Sequence, residues 1–340
     1  MPEPSPSRVR IRDVALAAGV SVATVSHVYN QRGRVSESTR ARVKAIGDRL
    51  GYQPNQTGQA LRNGRANVLA IVPSFRDPRI TEASFMPCFR SMVAGAAAGA
   101  AEAGFAITVA RAEADGQVAT TLAYDGLIVV DTMPSDPVVE REIRLGRPVV
   151  AVGGYDARPG ARVHGLRLGI RGALAGYLEA ATAESDDVRP SIFVGPRWDH
   201  LTNDAIAGFQ RWCAQHGITP QGGALEADES LDAAAMRILS AKTPPTVVHC
   251  LNESFSAAIL RAAERVGLDV PEQLRVTTIG DPHGHGAQRG VDYFVREPYE
   301  NGAAAARTLA SMVAGETPAD TLLELPLVSV PPPRSPYVLA

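Results

Sequence analysis

Ala23, His27 and Asn30 follow one another at spacings of four and three residues, which places them along one face of a helix. A neutral imidazole there offers one donor and one acceptor, and a carboxamide offers both kinds of group. Such a face suits hydrogen-bonded recognition rather than bond making. Elsewhere, Asn252-Glu253 follows a short apolar run, and Trp198 lies in a loop after another. An indole so placed either stacks on a bound ring or fills the core. His283-Gly284-His285 pairs two imidazoles, but no nearby cysteine or carboxylate set completes a metal site. No G-x-S-x-G elbow, phosphate loop or dinucleotide fingerprint occurs in a strand–turn–helix setting, so neither an enzyme nor a cofactor is expected.

Those first residues need two short helices to hold them. Ile11, Val14, Ala15 and Ala18 form an i, i+3, i+4, i+7 stripe, and Gly19 then breaks the helix. Ser21 is an N-cap for a second helix over residues 22–30, with Val25 and Val28 buried against the first. Two short helices joined by a glycine turn make a helix-turn-helix, whose second helix enters the DNA major groove. A third helix is expected from Ser36 to Leu50, on Val43, Ile46 and Leu50, and a polar stretch, residues 55–61, should not be a stable helix by itself.

Charge points the same way. Residues 1–65 hold eleven basic and four acidic side chains, a net of +7, which leaves −9 of the total −2 for the rest. A basic arm on an acidic body suits a nucleic-acid partner, and a solvated basic face is the plainer alternative.

The segments Asp13-Val14-Ala15, Gly19-Val20-Ser21-x-x-Thr24-Val25-Ser26, Val35-Ser36-x-x-Thr39-Arg40 and Gly51-Tyr52-x-Pro54-Asn55 closely resemble the headpiece of the lactose/galactose repressor (LacI/GalR) family. The resemblance implies base reading by Val22, Ala23 and His27. It implies phosphate contacts from Ser21, Thr24, Ser26, Asn30, Ser36, Thr39 and Asn55, and a minor-groove wedge at Leu61 in a hinge helix that folds on DNA. Many family members carry Arg at the place of His27. Arg makes a bidentate contact with guanine that imidazole does not, so operator preference should shift there. The alternative is that His27 only packs on its helix.

From Val68 onward, short β runs alternate with Ala-rich helices. Strands are expected at 68–72, 105–110, 126–130, 149–152, 192–194, 247–251 and 276–279; helices at 92–103, 138–145, 173–182, 205–216 and 255–266. This alternation means parallel sheets covered on both faces, with ligands at the C-terminal ends of strands. The fold class expected is an all-α helix-turn-helix headpiece (1–52), a hinge (53–65) and an α/β periplasmic-binding-protein-like two-lobed domain (66–340). Its N-lobe would take 66–160 and about 290–320, and its C-lobe 161–289 and about 321–340. The short stretch between Arg111 and Tyr124 suggests a trimmed helix.

By the resemblance, the cleft between lobes binds a small-molecule effector, for which Phe75, Trp198, Asn252 and Glu253 are the available contacts. Two ligand-gripping positions of the family are changed: Ala205 stands for its Arg and Leu168 for its Asp. The expected partners are double-stranded operator DNA, an effector and a second copy of the chain, as a homodimer or a tetramer. No membrane is expected, since no run of eighteen apolar residues occurs. A Pro- and Ser-rich start and three scattered cysteines (Cys88, Cys213, Cys250) suit a reduced cytoplasm. The rivals are a solute-binding transport protein, opposed by the headpiece, and an α/β enzyme.

Overall fold

The computed structural model describes residues 9–29, 33–52, 65–74, 86–195, 199–226, 228–283, 287–318, 321–323 and 327–329. The chain divides into two compact units, Met1–Ala66 and Asn67–Ala340.

In the first unit, α1 (Ile11–Ala18) ends at Gly19 with φ 61°, and α2 (Val22–Tyr29) follows after a change of direction of 107°. That angle is what a helix-turn-helix requires. The Ser36 hydroxyl caps α3 (Glu37–Leu50) by accepting from the Thr39 amide at 3.3 Å. Val14, Ala15 and Ala18 from α1, Val25 and Val28 from α2, and Val43 from α3 close one small core. The apolar spacing of α1 therefore faces inward, as the 3.6-residue period demands. A second contact ties the helices together: Arg40 donates to the Val28 carbonyl at 3.3 Å.

The second unit alternates strands and helices. Its elements are β1 (Val68–Pro73), α4 (Met86–Glu102), β2 (Ala106–Val109), β3 (Arg111–Ala112), β4 (Val118–Ala119), β5 (Gly126–Val130), α5 (Pro137–Arg144), β6 (Val149–Val152) and β7 (Val163–Leu168). Then come α6 (Ile170–Glu184), β8 (Pro190–Val194), α7 (His200–Gln215), β9 (Gln221–Ala224), α8 (Leu231–Leu239), β10 (Val247–Cys250), α9 (Glu253–Val266) and β11 (Arg275–Gly280). The last are β12 (Val291–Val295), α10 (Pro298–Ala314), β13 (Thr321–Leu323) and β14 (Leu327–Ser329). One sheet runs β13-β7-β6-β5-β1-β2, wholly parallel; the other runs β14-β12-β11-β10-β8-β9, parallel except for β14 on β12. The β5, β6, β8 and β10 strands are buried throughout, as a sheet covered on both faces requires.

The chain crosses between lobes at other points than the sequence suggested. Val163–Leu168 pairs with β6 in the first sheet, past the expected boundary at 160. Its alternating burial marks a half-exposed strand, and His164, Gly165 and Arg167 hide it from a search for apolar runs. Conversely, Val291–Val295 belongs to the second sheet, beside β11, although the return to the first lobe was placed at about 290. The return is made by α10, which packs on α4, and by β13 on β7, which the sequence reading had given to the C-lobe. Between α4 and α10 the backbones nearly touch: a Cβ at Gly302 would lie 2.0 Å from the Met92 carbonyl oxygen, and one at Gly95 1.8 Å from that of Tyr299. Small residues there permit the crossing, which explains the Ala-rich composition; α4 starts at Met86, six residues before the expected 92. Where a trimmed helix was expected, β3 and β4 form a small antiparallel ribbon.

Candidate nucleic-acid face and effector cleft

On the headpiece, burying Val25 and Val28 turns the opposite side of α2 to solvent. Val22, Ala23 and His27 are exposed there, and Ser26 is half-buried. At the start of α2, the Ser21 hydroxyl accepts from the Thr24 amide at 3.0 Å and shares a hydrogen bond with the Thr24 hydroxyl at 2.9 Å. The start of α3 repeats the device, Ser36 donating to the Thr39 hydroxyl at 2.9 Å. Two helix N-termini thus each present a hydroxyl pair, a setting that favours anionic oxygens. Exposed Arg34, Arg42, Lys44 and Arg49 add positive charge to this unit. Asn30, Asn55 and Leu61 lie outside the described residues.

In the two-lobed unit, charged side chains gather at the C-terminal ends of strands. Arg296, one residue past β12, donates to the Asp131 carboxylate, one residue past β5, at 2.7 Å. Both side chains are largely buried, 12% and 13% exposed, so the pair joins the two lobes in a poorly solvated place. Asp131 adopts φ 53°, uncommon for a residue with a side chain and typical of functional sites. The Arg296 Nε has no hydrogen-bond partner among the described residues. Asp199 caps α7, accepting from the Thr202 amide at 2.6 Å and from its hydroxyl at 2.8 Å. Burial nevertheless pushes its carboxyl up to about 6, against those bonds, and nearby Asp131 pushes in the same direction.

Of the effector contacts named from sequence, Asn252 and Glu253 sit where β10 turns into α9. The Asn252 Oδ1 accepts from the Ser254 amide at 2.9 Å as the helix cap. Glu253 reaches across to the end of β11, its Oε1 accepting from the Asp281 amide at 3.0 Å. Burial raises its carboxyl above the usual range, and the Asp281 N–H opposes this. Cys88 on α4 feels the charges of Arg296, Asp131 and Glu253, while burial pushes its thiol up. Phe75 and Trp198 lie outside the described residues. Asp131, Asp199 and Arg296 escaped the sequence reading; the signal available was a charged residue shortly after an apolar strand.

The two altered positions have become core. Leu168 is 3% exposed and Ala205 fully buried, both within one apolar cluster with Phe209 and Phe294. The residues just before them carry charge instead. Asp204 on α7 takes hydrogen bonds from the Arg171 Nε at 3.0 Å and from Arg167, on β7 of the other lobe, at 3.4 Å. Arg167 also pairs with Asp156. Beside them the His200 amide donates to the Thr132 carbonyl at 3.1 Å, so the start of α7 rests on the first lobe.

Comparison with known proteins agrees with both units. Residues 10–55 match the family described as bacterial regulatory proteins, lacI family, and residues 187–330 match the periplasmic binding protein-like domain. The HTH-type transcriptional repressor CytR of Escherichia coli (strain K12) is 28% identical over 280 residues, 78% of each chain. The ribose operon repressor of Bacillus subtilis (strain 168) is 26% identical over 341 residues, 94% of this chain and 96% of its own. Among solved structures, the Lac repressor dimer bound to operator and the anti-inducer ONPF superposes with TM-score 0.75 at 20% identity, covering 95% and 98% of the two chains. The CelR–cellobiose complex superposes with TM-score 0.63 at 22% identity, covering 94% and 98%. At these identities the structures establish a shared fold.

Proposed function

From a chain that belongs to the lacI family of bacterial regulatory proteins, we infer a sequence-specific, DNA-binding transcriptional repressor controlled by a small molecule in the inter-lobe cleft. The observation that carries this reading is the exposed face of Val22, Ala23 and His27 on α2, held outward by a buried Val25 and Val28. Those three residues read base edges in the major groove. Ser21, Thr24, Ser26, Asn30, Ser36, Thr39 and Asn55 hold phosphates and set the register. Leu61 is the apolar wedge that kinks the minor groove. The chain works in the cytoplasm as a homodimer, whose two-fold symmetry a near-palindromic operator would mirror, and it has no catalytic role.

The effector sits between the lobes, near Asn252 and Glu253, and alters how the lobes close. With Leu168 and Ala205 in the core, the charges that meet it are those at the strand ends: Asp131, Asp199, Glu253 and Arg296. Coupling is reciprocal, so DNA changes effector affinity by the factor by which effector changes DNA affinity.

A mobility-shift assay on promoter fragments flanking its gene tests the reading. Specific shifts at moderate salt are expected, weakened by Leu61→Ala while non-specific binding persists. Equal shifts for every fragment would overturn it. Thermal-shift screening against sugars, nucleosides and small acids then identifies the effector.

A further inference from the structure

His27 is exposed, yet one edge of its ring lies close to the Gly33 backbone. A Cβ built on Gly33 would lie 2.8 Å from the His27 Nδ1, 3.2 Å from its Cγ and 3.3 Å from its Cε1. Gly33 thus lies against the Nδ1 edge of the imidazole, at a distance that no other residue type allows without moving the ring. Its φ of +75° is a second reason for glycine, since side-chain-bearing residues rarely adopt that conformation. The edge turned away from Gly33 is the one that carries Nε2.

We propose that Gly33 is a positioning residue for base recognition: it seats the His27 ring so that Nε2 is the one nitrogen offered to the major groove. The inference rests on the reading of His27 as a base contact. An exposed imidazole otherwise samples several rotamers, and losing that freedom on binding works against affinity. A ring already seated against glycine loses less and points one way, which is how a short side chain becomes selective. It also sets the scale of the selectivity. One nitrogen makes one hydrogen bond, whereas an Arg at this position makes two to guanine. The preference at this base pair should therefore be real but modest.

The test uses the full-length protein and a panel of operators differing at each position of one half-site. Four proteins are compared: wild type, Gly33→Ala, His27→Ala and the double variant. Gly33→Ala should change the preference at one base pair by about 3-fold or more, the scale of a single hydrogen bond. The other positions should keep their ranking. In the His27→Ala background the same substitution should leave that base pair unmoved. Gly33→Asn separates ring displacement from backbone strain, because Asn tolerates positive φ but still carries a Cβ. It should reproduce the shift in preference.

A uniform loss of affinity at all positions, equal in both backgrounds, would mean that Gly33 serves only its loop; the proposal would then be overturned while base reading stood. If His27→Ala itself left the whole profile unchanged, base reading by His27 would fall, and the role of Gly33 with it. Thermal denaturation of each variant confirms that the headpiece is folded.

Discussion

In the headpiece, Ser21, Thr24 and His27 occupy one short segment, and a single helical period sets their directions. In the two-lobed unit, Asp131 and Arg296 meet although 165 positions separate them, each delivered by the end of a different strand in a different sheet. The first arrangement can be rebuilt from local spacing alone. The second exists only after both sheets have formed and the chain has crossed between lobes. Local chemistry tolerates change elsewhere, whereas chemistry assembled across lobes is coupled to the packing that assembles it. Substitutions in the two units should therefore fail in different ways.

The largest effect should follow Arg296→Met. It removes one partner of a buried ion pair and leaves the Asp131 carboxylate uncompensated, at a cost of about 3 kcal/mol or more. Urea denaturation of the full chain should show the two-lobed unit weakened and the helical headpiece unchanged. Replacing Asp131 by Asn in the same chain should recover part of the loss. Equal destabilisation of both units would break the contrast drawn above.

Gly302→Val attacks packing in place of charge. The new Cβ would sit 2.0 Å from the Met92 carbonyl, so α10 must move off α4. A loss of about 2 kcal/mol in the two-lobed unit is expected from this overpacking, read as a lower urea midpoint.

Asp199 sharpens the comparison through pH. Its folded carboxyl, at about 6, lies above the ordinary 3.8, so between those values the folded state holds the extra proton. The stabilisation from this group is complete below about pH 4 and is lost as pH rises through about 6. Asp199→Asn still accepts from the Thr202 amide but cannot ionise. Its stability relative to wild type should increase across that window, and a constant difference from pH 4 to 7 would contradict the assignment.

The smallest effect belongs to the headpiece. The Tyr29 hydroxyl is buried beside Gly47 without a hydrogen-bond partner among the described residues, and its ring packs edge-on against Tyr52 at 5.2 Å. Tyr29→Phe should be neutral or stabilising by up to about 1 kcal/mol, since it removes an unsatisfied polar group and keeps the ring. A clear loss of headpiece stability would show that this hydroxyl has a partner after all.

What was legible in the sequence follows the same division. The stripe of Val14, Ala15 and Ala18, the turn at Gly19, the cap at Ser21 and the start of a third helix near Ser36 could be placed because helix period and capping act within a few residues. The buried strands β5 and β6 were also visible as apolar runs, and β10 as one interrupted only by His249. β7 was not, because a half-exposed strand with His164, Gly165 and Arg167 carries no such run, and the lobe boundary was misplaced with it. Asn252 and Glu253 were found because the family resemblance sets an Asn-Asp pair at that place in the sequence. Asp131, Asp199 and Arg296 follow strands, but nothing local marks which of many charged residues will meet across a cleft. The replacement of Arg by Ala205 and of Asp by Leu168 was plain in the sequence. That Asp204 and Arg167, one residue earlier on each element, would carry charge across the lobes was not.

The central claim, sequence-specific DNA binding, is tested most directly by selecting duplexes from a randomised pool with the full-length protein at moderate salt. The account predicts enrichment of a near-palindromic site with two equivalent half-sites, and His27→Ala should relax one symmetry-related base pair in each. Recovery of an unenriched pool, bound only as strongly as the salt concentration allows and equally for all sequences, would contradict it.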